Sequence, residues 1–170
     1  LGEGHRIEVI DKDLILLASS KTETYFIKLA LDGKILGVDS FNVKINEEIG
    51  LLKSFQAIDF IISEDGNYIL TGSLQQTIGG RRLFLCKISP SGDLIWIRLL
   101  AEFYEGVKLQ TLSNGDIVIN GRLGKQSFII TTDEQGIFKW LKKFNHPYDF
   151  PIDLITPIDT QLYYDVELDG

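Results

Sequence analysis

Phe84-Leu85-Cys86-Lys87-Ile88-Ser89-Pro90-Ser91-Gly92-Asp93-Leu94-Ile95-Trp96 returns as Phe128-Ile129-Ile130-Thr131-Thr132-Asp133-Glu134-Gln135-Gly136-Ile137-Phe138-Lys139-Trp140. An earlier copy reads Tyr25-Phe26-Ile27-Lys28-Leu29-Ala30-Leu31-Asp32-Gly33-Lys34-Ile35-Leu36-Gly37. In each copy an aromatic residue stands eight positions before a glycine, and two copies place tryptophan four positions after it. Between these stretches lies a second recurring unit. It reads Asp65-Gly66-Asn67-Tyr68-Ile69-Leu70-Thr71-Gly72-Ser73, then Asn114-Gly115-Asp116-Ile117-Val118-Ile119-Asn120-Gly121. Weaker copies start at Asp11 and Asp159.

Glycine after Asp, Asn or Ser supplies the positive φ that tight hairpins demand. The flanking runs are short, rich in β-branched and aromatic residues, and closely punctuated by turns, which reads as strand and not helix. Each repeat is therefore strand A, turn, strand B, loop, strand C, turn, strand D. Gly66 to Gly115 spans 49 positions, Gly92 to Gly136 spans 44, and the longer Gly33 to Gly92 interval is 59. Four-stranded propeller blades repeat at about 40–50 residues. The expected fold is all-β, a propeller of four-stranded antiparallel blades at about residues 5–42, 55–101 and 106–145, with a fourth begun at 152–170. A β-sandwich or β-solenoid is the alternative. The structural positions are Gly33, Gly66, Gly92, Gly115 and Gly136 at turns, with Trp96 and Trp140 as rings that fasten one sheet to the next.

The units ending Gly92-Asp93-Leu94-Ile95-Trp96 and Gly136-Ile137-Phe138-Lys139-Trp140 resemble the tryptophan-docking repeats of quinoprotein-like propellers. With the Asp65-to-Gly72 half added, the repeat resembles those of bacterial secreted and surface proteins, over about residues 5–168. Lys12, Gly37 and Thr160 depart from the pattern. The resemblance implies an extracellular or cell-envelope location, and a function that fold alone does not fix. Fewer than four full blades leave an arc, so further blades of the same protein, or another copy of the chain, are expected to complete it.

Composition narrows the partners. The net charge of −7, from 24 acidic and 17 basic residues, opposes the cationic footprint of a nucleic-acid binder. No apolar run reaches the length of a membrane helix, so membrane insertion is not expected. The chain opens Leu1-Gly2-Glu3-Gly4 without Met, as a piece of a longer precursor would. Cys86 has no second cysteine to pair with and reads as a small buried hydrophobe.

Little in the sequence points to catalysis. His5 and His146 are not at metal-ligand spacing, no Gly-x-Ser-x-Gly elbow occurs, and Ile78-Gly79-Gly80-Arg81-Arg82 lacks the Lys-Ser/Thr ending of a phosphate loop. The acidic clusters at Asp11-Lys12-Asp13 and Glu64-Asp65 coincide with repeat turns and read as turn chemistry, with no metal or cofactor expected. Two segments exceed the repeat minimum, 42–54 and 74–82. Binding residues concentrate on loops carried by rigid scaffolds, so Gln75, Gln76, Arg81, Arg82, His146 and Tyr148 are the candidate contacts. The expected function is a non-catalytic scaffold holding a protein or glycan. The alternatives are a propeller enzyme whose active site lies outside this segment, quinoprotein-like oxidoreductase or hydrolase, and a structural spacer in a surface protein.

Overall fold

A computed structural model describes residues 3–20, 23–40, 52–102, 105–123 and 126–145. They form twelve strands and, among the described residues, no helix. The first sheet holds β1 (Glu3–Ile10), β2 (Asp13–Ser19), β3 (Thr24–Ala30) and β4 (Ile35–Ser40). The second holds β5 (Leu52–Ile62), β6 (Tyr68–Gln76), β7 (Arg81–Ile88) and β8 (Leu94–Glu102). The third holds β9 (Glu105–Thr111), β10 (Ile117–Leu123), β11 (Gln126–Thr132) and β12 (Phe138–Asn145). Every sheet is an antiparallel meander whose strands pair in chain order. The expected fourth unit, 152–170, lies outside the described residues.

Five turns share one geometry. In Ala30–Lys34, Ser63–Asn67, Ser89–Asp93, Leu112–Asp116 and Asp133–Ile137, the first residue accepts from the glycine N–H and donates to the last carbonyl. The glycines Gly33, Gly66, Gly92, Gly115 and Gly136 all have positive φ, from 75° to 87°. A type I turn closed by a left-handed residue is a common three-residue hairpin loop. At Asp11-Lys12 the connection is shorter, and Asp11 takes the left-handed role with φ 56°.

The ladders repeat their irregularities as well. The first strand of each sheet bulges at His5, Ile58 and Val107, immediately before Arg6, Asp59 and Lys108. The last strand bulges at Leu36, Ile95 and Lys139, immediately before Gly37, Trp96 and Trp140. A bulge inserts one residue and re-aims the side chains beside it. Here it does so at corresponding positions of all three repeats.

Successive sheets pack face to face, with β5 laid across β1, β2 and β3, and β9 across β5, β6 and β7. The second sheet is consequently covered on both faces, and β6 is buried from Tyr68 through Leu74. Ile15, Leu17 and Phe26 meet Phe55, Phe60, Tyr68 and Phe84 between the first two sheets. The Phe26 and Phe60 rings meet edge-on at 5.0 Å, and Phe55 stacks on Phe84 at 4.4 Å. Ile69, Leu83 and Leu85 meet Leu109, Ile117, Ile119 and Phe128 between the second and third. Each such side chain stabilises by about 1.5–3 kcal/mol through burial. The opposite face of the first sheet is apolar but open, with Ile7, Val9, Ile35 and Val38 exposed.

Trp96 fastens the second sheet to the third. A methyl added to Gly136 would lie 2.8 Å from its ring, so the indole edge rests directly on the turn glycine of the next sheet. Arg98 covers the ring from 5.4 Å. Neither tryptophan ring is fully buried. Trp96 is half-buried and Trp140 is 39 % exposed. A turn of the following sheet shields Trp96, and no corresponding turn follows β12 among the described residues.

Asp59 joins all three sheets. Its carboxylate, 1 % exposed, accepts from Arg6 Nη1 of β1 at 3.1 Å and from the Leu109 N–H of β9 at 2.7 Å. Burial raises its pKa above the ordinary value; the Leu109 N–H, Arg6 and Lys108 pull the other way without overcoming it. The Arg6 guanidinium also binds Glu8 and stays charged, its pKa raised despite the opposing effect of burial.

Two tests follow from these contacts. Trp96→Ala should cost roughly 1–3 kcal/mol, below the 3–5 typical of a fully buried ring. Gly136→Ala should add about 1–2 kcal/mol of left-handed strain to its overlap with the ring. In the double variant the overlap disappears, so the costs must fall short of additive; additivity to within about 0.5 kcal/mol would place the indole elsewhere. Asp59 tests the junction. A buried acid with a raised pKa binds its proton more tightly folded than unfolded. Its stabilising contribution is complete below 3.8 and declines as pH rises through the higher folded value. The stability difference between wild type and Asp59→Asn, measured by urea unfolding, should shrink from about pH 4 to about pH 7. A difference that widens over that range would mean that the ion pair dominates burial.

Candidate functional site

Because every sheet is a four-stranded meander, its A–B and C–D turns share one end and its B–C connection lies at the other. Four of the expected contact residues gather at that second end, on the second sheet. They do not sit in a long loop, which corrects the expectation for 74–82. β6 runs on to Gln76 and β7 begins at Arg81, leaving 77–80 as the connection. The ladder continues because Gln75 pairs with Arg81 and Leu74 with Arg82. Residues 52–54 of the other expected loop likewise belong to β5, while 42–51 lie outside the described residues. His146 and Tyr148 also lie outside them.

The hairpin tip has a definite chemical character. Arg81 is exposed, and its guanidinium donates to Gln56 Oε1 at 3.3 Å. Gln75, Gln76 and Arg82 are half-buried. At the apex, Ile78 is 92 % exposed, the most exposed large apolar side chain among the described residues. The arginines are visible in the sequence by their charge, whereas Ile78 sits beside Gly79 and Gly80 with no periodicity to mark it. Two guanidiniums, two amides and an apolar knob suit recognition of carboxylate-bearing groups beside an apolar contact. They offer no nucleophile.

The turn end is acidic and internally satisfied. A cleft of about 650 Å³ opens between the second and third sheets, lined by Ser63, Glu64, Asp65, Lys87, Asn114 and Glu134 among others. Lys87 Nζ lies 2.7 Å from Asp65, Lys28 pairs with Asp13 at 2.8 Å, and Lys139 with Asp116 at 2.5 Å. Asp65 also accepts from the Ser63 hydroxyl at 2.7 Å. Lys87 and Ser63 together hold its carboxyl well below the usual range. Asp133 accepts from two backbone N–H groups of its own turn, Gln135 and Ile137. Such side-chain caps are what Asp and Ser contribute to turns.

Elsewhere among the described residues, His5 and Cys86 are already engaged. His5 Nε2 lies 2.5 Å from the Ser19 hydroxyl. Cys86 is fully buried, and burial pushes its thiol pKa up, away from the reactive thiolate. Among the described residues no three His, Cys, Asp or Glu side chains are grouped to hold a metal ion, and no helix is long and apolar enough to cross a membrane.

Comparison with known proteins adds little. No family model matches the chain, and no curated protein does. A crystal structure of a protein of unknown function from Bacteroides caccae aligns with 84% of this chain and 68% of its own, at 10% identity and a TM-score of 0.33. That likeness is too faint to carry an argument.

Proposed function

We propose that this chain is a propeller-type scaffold that binds a partner protein or glycan through the hairpin end of its second sheet, without chemistry of its own. The grouping of Gln75, Gln76, Arg81 and Arg82 around exposed Ile78, on a sheet buried on both faces, carries the reading. A rigid, doubly covered sheet holds the tip still, so little ordering entropy is lost on binding. The arginines select carboxylates, and a local cationic tip on a chain of net charge −7 confines such ligands to that end. Three similar sheets packed in succession, each laid across its predecessor by its first strand, support the propeller. The open apolar face of the first sheet is where a closing sheet would seat.

An acidic peptide and an oligogalacturonate serve as probes of the two ligand classes, followed by amide chemical shifts over residues 75–82. One of them should perturb those signals, and Arg81→Ala with Arg82→Ala should weaken its binding by at least about tenfold. The same pair should change stability by no more than about 0.5 kcal/mol. Shifts confined to the turn end, or none with either probe, would remove the hairpin from consideration.

A further inference from the structure

Strand pairing lays two apolar rows across the open face of the first sheet. Ile7, Leu16, Ile27 and Val38 stand opposite one another in succession. Val9, Leu14, Leu29 and Ile35 form the next row. Directly paired residues share a face, so all of these side chains project to one side. Those on the edge strands are the most open, with Ile7 55 %, Val9 63 %, Ile35 62 % and Val38 55 % exposed. Leu14, Leu16, Ile27 and Leu29 are half-buried between them. Neither row contains a polar or charged residue.

The same rows recur in the other two sheets, where they are buried. Phe60, Leu70, Cys86 and Ile97 are the corresponding row of the second sheet, and all belong to the core between it and the first. Leu109, Ile119, Ile130 and Leu141 are the row of the third, packed on the second. In both cases the row is what a sheet presents to its predecessor. The open face of the first sheet therefore continues an interface that the molecule already uses twice.

We propose that a second copy of this chain covers this face, first sheet against first sheet about a twofold axis. A uniformly apolar face can serve as its own complement, as an isologous contact requires. Head-to-tail stacking of copies is closed off, because the face that the third sheet would offer is already buried. Val118, Asn120 and Thr131 alternate with Ile117, Ile119 and Ile130 and so point away from the second sheet. They are only 0 %, 4 % and 2 % exposed. The assembly accordingly stops at two copies. Strands about 4.8 Å apart and rows about 7 Å apart give a patch on the order of 300 Å². Patches of that size are often functional, yet they fall short of the roughly 800 Å² per partner that stable complexes bury, so the dimer is reversible. The net charge of −7 disfavours an anionic membrane as the occupant. The proposal rests on this face being a seat for a sheet and not on ligand binding at the hairpin, so either can fail alone.

Light scattering on the full chain tests it. Between about 1 and about 200 µM the mass should rise from 19.2 kDa toward twice that value and no further. Val38→Glu should weaken the dimer by at least about a hundredfold, because each copy then buries an unpaired carboxylate. Ile137→Lys, at an exposed apolar residue beyond the turn of the third sheet, should leave the affinity within about twofold. A monomer throughout, masses beyond two copies, a dimer indifferent to Val38→Glu, or one lost with Ile137→Lys would each overturn the proposal. Should Val38→Glu fail to fold, a mixture of isotope-labelled and unlabelled wild type decides instead. Nuclear Overhauser contacts between copies must then reach the Val9 and Val38 methyl groups; a dimer whose contacts lie elsewhere rejects this face.

Discussion

A single carboxylate ties the three sheets to one another. Asp59 is expensive to bury, and its position is tenable because each oxygen has a donor from a different neighbour, Arg6 on one side and the Leu109 N–H on the other. Removing either donor leaves a buried charge short of a partner, so the junction resists sliding of one sheet over the next. Apolar packing supplies most of the stabilisation and tolerates small shifts; the Asp59 junction does not. It fixes the stagger at which Phe55, Phe60 and Phe84 interlock with the first sheet and Leu83 and Leu85 with the third.

The bulges make that junction possible. An unbroken ladder would alternate its side chains strictly between faces. The extra residue at His5, Ile58 or Val107 changes the phase just before the charged position. A second constraint acts on the partner strand. A methyl on Gly72 would fall 2.0 Å from the Gln56 carbonyl oxygen, so β6 approaches the bulged part of β5 more closely than any side chain permits. Gly121 pairs at the corresponding bulge of β9. Gly72 is therefore a packing requirement, distinct from the turn glycines, which answer to a positive φ.

Strand order and turn positions were legible because they rest on local chemistry. Gly33, Gly66, Gly92, Gly115 and Gly136 declare their turns by residue type and spacing alone. The strand content around them follows from short β-branched runs. The hairpin at 74–82 reads as a loop in sequence because Gln75, Gln76, Arg81 and Arg82 carry no apolar alternation, yet main-chain pairing extends the ladder regardless of side-chain polarity. Asp59 was invisible for a different reason. Nothing local separates a carboxylate that bridges three sheets from one on a solvated strand; its partners lie 53 and 50 residues away in the chain. The binding tip was half legible, its arginines by their charge, Ile78 only once its exposure was known.

Alternating charge on the first strands of the three sheets carries a rule of parity. Along an open row, cation and acid can succeed each other indefinitely, each satisfied by both neighbours. Closed into a circuit, the same order is consistent only when the number of members is even. With an odd number two like charges must meet at one seam, where burial makes their repulsion costly. The sign pattern of Arg6, Asp59 and Lys108 thus restricts how many sheets any ring built by this rule could hold, and an odd ring would need a neutral residue at one of these first-strand positions to relieve the conflict.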